Sequence, residues 1–193
     1  MKYLVLLGAA ISLFSACQYA ILTVRGRVMP NRVTWFLWSL APIVASVAAI
    51  SSGVTWAALP VFMAGFSPFI IFLASFSGAQ RKNHWKITRF DWICGAASLL
   101  AFFVFLSTKD AILAIWLSMA ADFLAAVPTF RKAWKFPETE SAVPFTLGLF
   151  ATATTFFAIE HWNFESLAFS IYVIGMNVCL SAVILGRKRH EKA

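Results

Sequence analysis

Residues 90–107 read FDWICGAASLLAFFVFLS, an apolar run whose only charge, Asp91, lies at its start. A hydrocarbon core about 30 Å thick is crossed by roughly 20 mostly apolar residues in a helix, so this run is long enough to span one. Its position is what decides the fold. Three comparable stretches precede it, near Tyr3–Val24, Val33–Ser51 and Trp56–Gly78. Three more follow, near Asp110–Phe130, Pro144–Ile159 and Leu167–Gly186. Moving the first triplet forward by about 110 residues lays it over the second, and the run at 90–107 is left over. With one span between them, both triplets must cross in the same direction. The pattern predicts an all-α membrane protein of seven transmembrane helices: two parallel three-helix bundles joined by a linker helix, related by an axis along the membrane normal. In chain order these are residues 1–79, the first bundle; 80–109, a cytoplasmic loop and the linker span; 110–187, the second bundle; and 188–193, a cytoplasmic tail.

Composition agrees. Sixty-one per cent of the 193 residues are hydrophobic and 12% are charged, against roughly 25% charged in a soluble domain. Seven spans and their short loops leave no room for a soluble domain, and there is no convergent set of nucleophile, base and metal ligands for an enzyme site. Cys17, Cys94 and Cys179 are odd in number, and each falls inside a span. They offer neither a disulfide framework nor metal-ligand spacing, so no cofactor or metal is expected.

Charge placement orients the chain. Arg25, Arg27 and Arg32 follow the first span, and Arg81, Lys82, Lys86 and Arg89 follow the third. Arg131, Lys132 and Lys135 follow the fifth, and Arg187, Lys188, Arg189 and Lys192 form the tail. The opposite loops hold only Lys2 and Lys109, with Asp110, Glu160 and Glu165. Basic loops stay in the cytoplasm, which places the N-terminus outside and the C-terminus inside. The net charge of +8 then reflects topology and anionic headgroups; nucleic acid would need a continuous basic face. Lys2 and the run ending LFSAC at Cys17 also resemble a secretory or lipoprotein signal. Phe14 fits that pattern poorly, and cleavage would remove one of six repeat helices, so the run is taken as a span. The short loops suit a bacterial inner membrane.

Asp122 is the only carboxylate near the middle of a span. Such a group costs roughly 2.5–3.5 kcal/mol on insertion scales and marks function by default. Ser118, Ala125, Ala126 and Thr129 share its helical face, away from Trp116, Phe123 and Leu124, so this stripe is expected against a pore. The bland alternative is a carboxyl hydrogen-bonded to a neighbouring helix. Asn177, midway along the last span with Ser170 and Ser181 on its face, offers donors and an acceptor to a polar solute. In the repeat register Gly65 pairs with Gly175, and Ser67 with Asn177. Thr152 or Thr155 should turn a hydroxyl toward the bundle axis. Trp35 and Trp38 begin the second span, where interfacial belt residues belong, though they share a face with Pro42 and could stack on a ligand. Trp56, Trp85, Trp92, Trp134 and Trp162 lie at span edges, and His84, His161 and His190 lie in loops or the tail. Asn31 is expected to cap the second helix.

Residues 121–145, ADFLAAVPTFRKAWKFPETESAVPF, carry a resemblance. They are similar to the loop that names the PQ-loop superfamily, in which a helix breaks at a Pro-Gln pair before basic residues and a short polar turn. The SWEET sugar transporters belong to that superfamily and share the three-one-three plan. Each half here keeps one member of the pair: Pro128 precedes Thr129, and Gln18 follows Cys17. The resemblance implies a hinge for an inner gate at Pro128, with Gln18 its first-half counterpart, and Pro42 is a second candidate kink. It also implies that Asn177 is one of a sugar-binding pair of asparagines, Ser67 replacing the other. The function expected is transport of a small polar solute (a sugar, an amino acid or a vitamin-like nucleoside) by alternating access. Asp122, Asn177, Ser67, Ser118, Thr152 and Trp38 would line the site, with proton coupling through Asp122. A non-transporting membrane receptor of the same fold is the alternative. The partners expected are the solute and the bilayer; no second copy is required.

Overall fold

A backbone in hydrocarbon must satisfy its own donors and acceptors, and helices do so within one segment. The computed structural model describes residues 2–51, 58–78, 84–159 and 162–190. Among these residues the regular structure is wholly helical: α1 (Lys2–Val24), α2 (Arg32–Ser51), α3 (Ala58–Ala74), α4 (Arg89–Ser107), α5 (Ala111–Lys135), α6 (Val143–Ala153) and α7 (Phe164–His190), with two 3-10 segments at Pro137–Thr139 and Thr154–Ala158. The helices α1, α4, α5 and α7 are each long and apolar enough to cross a membrane; α2, α3 and α6 carry shorter apolar runs. The chain is therefore an all-helical protein compatible with multi-pass insertion. Trp56, Arg81, Lys82, Glu160, His161 and Lys192 lie outside the described residues, as does the side chain of Glu165.

Local chemistry sets the helix ends. Asn31 caps α2 as expected, its Oδ1 accepting from the Val33 amide at 3.0 Å, while its Nδ2 donates to Asp91 Oδ1 at 2.9 Å. Thr88 and Asp91 form a capping box that starts α4, and the Asp110 carboxylate accepts from the Leu113 amide to start α5. Gly78, after α3, has φ of 59°, and a Cβ there would collide with the Val24 backbone. Only glycine fits.

Two boundaries differ from the sequence expectation in ways that shape the site. The helix α5 does not stop at Phe130: it runs unbroken through Pro128 to Lys135. The helix α1 ends at Val24, as expected, and passes Gln18 unbroken. The break that the resemblance places at these two residues is absent. The apolar run of the sixth span loosens into 3-10 geometry at Thr154, where Thr154 and Thr155 hydroxyls donate to the carbonyls of Ala151 and Thr152, both at 2.7 Å. Such back-bonding bends helices.

Helix contacts follow a simple scheme. The helix α3 packs on both α1 and α2, and α7 packs on both α5 and α6. Between these groups α1 touches α6, and α2 touches α5; α4 lies against α5 and α2. At one end of the molecule the basic segments converge. Arg32 donates to the Ser75 carbonyl at 2.6 Å, Arg131 stacks over Phe90, Arg187 donates to the Trp134 carbonyl and Lys188 to the Glu140 carbonyl. That end gathers the C-termini of α1, α3, α5 and α7 and the start of α2 and α4.

Lys132 is the exception. Counted from sequence as a loop charge, it sits in the last turns of α5 and is 2% exposed. Its Nζ pairs with Glu140 Oε1 at 2.7 Å and also donates to the carbonyls of Met29 and Thr139. Tyr19 of α1 donates to the other Glu140 oxygen at 2.6 Å. The continuation of α5 past Phe130 is what carries the amine inward.

Candidate functional site

Above that end, a partly open cavity of about 490 Å³ is lined by α1, α2, α3, α6, the 3-10 segment after it and α7, with Ser118 and Asp122 supplied by α5 and Phe105 by α4. Most of its wall is apolar, including Trp35, Met63, Phe145 and Met176. Polar groups interrupt it at few places, and the sequence had singled out most of them. Ser67, Ser118, Asp122, Thr152, Asn177, Trp38 and Pro42 all face this one space.

Each is held differently. Tyr172 of α7 donates its hydroxyl to Asp122 Oδ2 at 2.9 Å. Asp122 therefore lines the cavity and is also hydrogen-bonded to a neighbouring helix, the bland alternative. The indole N–H of Trp38 reaches the backbone carbonyl of Asp122 at 3.3 Å, and Trp38 meets Trp35 edge to face with centroids 5.2 Å apart. The Ser118 hydroxyl donates to its own helix at Ile115, leaving lone pairs toward the cavity. The Ser67 oxygen is buried with no partner among the described residues. Asn177 lies against Gly148 so closely that a Cβ on Gly148 would stand 2.9 Å from its Nδ2. The small residue on α6 is what lets the amide sit there. A smaller void of about 50 Å³ on the α4 side shares Ser118 and Asp122 and reaches Ser98.

Other sequence expectations move. Trp35 is not a belt residue: it is 3% exposed, packed between the ring of Tyr19 on α1 and that of Phe145 on α6. Trp38, likewise, faces the cavity and not an interface. Trp92, Trp134 and Trp162 are exposed, as span-edge residues should be. Only part of the polar stripe on α5, Ser118 and Asp122, lines the cavity. Thr129 bonds Thr34 at 3.0 Å, and Thr34 bonds the Ala125 carbonyl at 2.7 Å, so this part of the stripe seals α5 to α2. Gly65 and Gly175 are not equivalent in packing. A Cβ on Gly65 would strike the α2 backbone, whereas one on Gly175 would meet nothing. Neither Gln18 nor Pro128 lines the cavity.

The buried trio of Lys132, Glu140 and Tyr19 was missed. Tyr19 and Glu140 are 121 positions apart, and no helical spacing links Lys132 to the turn that carries Glu140. Among the described residues no three His, Cys, Asp or Glu side chains gather as a metal site would require. No protein-family model, curated protein or solved structure matches the chain.

Proposed function

We propose that this chain is a membrane transporter of a small polar solute, akin to the PQ-loop and SWEET-like proteins, and that the cavity is its solute site. Two parallel three-helix units, α1–α3 and α5–α7, rock about the cavity while α4 links them, giving alternating access. Asp122 gains a proton on one side and releases it on the other. The basic end faces the cytoplasm, with the N-terminus outside.

One observation carries this reading. Residues about 110 apart line the cavity in pairs: Ser12 with Asp122, Trp35 with Phe145, Trp38 with Gly148, Pro42 with Thr152, and Ser67 with Asn177. Paired lining is what a two-fold axis through the cavity produces. Trp35 and Phe145 also stack on each other at 6.1 Å, as mates astride such an axis would. The contacts repeat under the same operation, since α1 on α6 becomes α5 on α2. Pro42, in the cavity wall, and Pro128, which removes a donor from α5, are assigned as hinges.

The test is reconstitution. A thermal-shift screen of sugars, amino acids and vitamin-like nucleosides should give a stabilising solute, and proteoliposomes should then take it up in exchange with, or together with, protons. Binding without flux would replace the transporter by a receptor of the same fold.

A further inference from the structure

The wall of the cavity carries one formal charge among the described residues, the carboxylate of Asp122; no Lys, Arg or His lines it. Among the described residues its one side-chain partner is the Tyr172 hydroxyl, on one oxygen. A carboxylate has about four acceptor sites, so most of its capacity is open to a ligand. The repeat mate of Asp122 is Ser12, so the opposite wall adds no second charge. An anionic solute would face Asp122 with nothing to offset the repulsion. A sugar would find partners in Ser67, Thr152 and Asn177 but would set its other hydroxyls against Met63, Phe145, Phe169 and Met176, where desolvation without partners is costly. Aromatic faces and thioethers instead suit an apolar body and a cation. The volume of about 490 Å³ lies in the range of about 300–1,000 Å³ of small-molecule sites, far too large for a bare ion.

We propose that the cavity binds a small organic monocation, an amine or quaternary nitrogen on a largely apolar, ring-sized body, with the charged nitrogen on Asp122. The inference rests on the cavity being the solute site and names the class of solute it takes.

A matched set of probes tests it on the full chain in lipid nanodiscs: tryptamine as the cation, tryptophol as its neutral counterpart, indole-3-propionate as the anion, and glucose. Calorimetry should show tryptamine binding at least about tenfold tighter than tryptophol, about 1.4 kcal/mol, with indole-3-propionate and glucose weaker still. Asp122→Asn should remove the preference for tryptamine while its melting temperature shows an intact fold. If that variant fails to fold, the ranking of the four probes on the native chain still decides. Tryptophol or glucose binding as tightly as tryptamine, no binding of tryptamine, or an unchanged preference in the folded variant would overturn the proposal. Flux separates this inference from the transporter reading. Uptake of a neutral solute with no cation preference removes the solute class alone, whereas selective tryptamine binding without transport upholds the class and removes transport.

Discussion

Asp122→Asn should yield a folded protein whose proton-coupled uptake falls to the level of empty liposomes. The substitution keeps the shape of the side chain, and Tyr172 can still donate to an amide oxygen in place of the carboxylate oxygen it now reaches at 2.9 Å. The Trp38 bond goes to the backbone and is untouched. Stability should therefore change by no more than about 1 kcal/mol, the net worth of one hydrogen bond. Function should not survive, because an amide cannot carry a proton across the cycle and cannot neutralise a cation. If the solute is a cation, proton and solute would occupy the same oxygens in turn, which predicts exchange of one for the other. Proton-coupled uptake at the native rate in the variant would remove Asp122 from the mechanism.

Glu140→Gln should be the more damaging change to the fold. It leaves the Lys132 amine, with a side chain 1% exposed, facing carbonyls alone, and breaking a buried pair from one side costs about 3–5 kcal/mol. A large fall in melting temperature in detergent, or loss of folded protein, is expected. Removing the whole trio, as Lys132→Met and Glu140→Leu with Tyr19→Phe so that no buried hydroxyl is orphaned, should recover much of that loss, since apolar groups of similar volume replace buried pairs at little cost. A single variant as stable as the native chain would show that the pair is solvated. The trio also has a mechanical position. Tyr19 belongs to α1 and Glu140 to the turn after α5, so their bond ties the two proposed units together at the basic end, beside the cavity floor at Trp35. Opening toward that end would have to stretch it.

Much of the site was legible because it rests on rules that act locally or by repetition. A carboxylate in the middle of an apolar run has few innocent explanations, so Asp122 stood out. The about 110-residue register paired Ser67 with Asn177 but left open whether they share a space; both line the one cavity. Asn31 declared itself by preceding an apolar run. What stayed hidden depends on which helix covers which. Trp35 has the sequence position of a belt residue, but α1 and α6 bury it. Lys132 has the position of a loop charge, but α5 outlasts its apolar run and turns the amine inward. The helix break borrowed from the resemblance failed because a proline in a helix removes one donor without forcing the helix to end.

Accessibility of the cavity from each face of the membrane tests the central claim most directly. In a chain with Cys17, Cys94 and Cys179 replaced by serine, Ser118→Cys places a thiol of nearly the same size on the cavity wall. Membrane-impermeant maleimide, applied separately from outside and from inside sealed vesicles, reports which face reaches it. Alternating access predicts labelling from both sides while the vesicles remain tight to protons. A thiol that reacts from neither face, or from one face only, would contradict it.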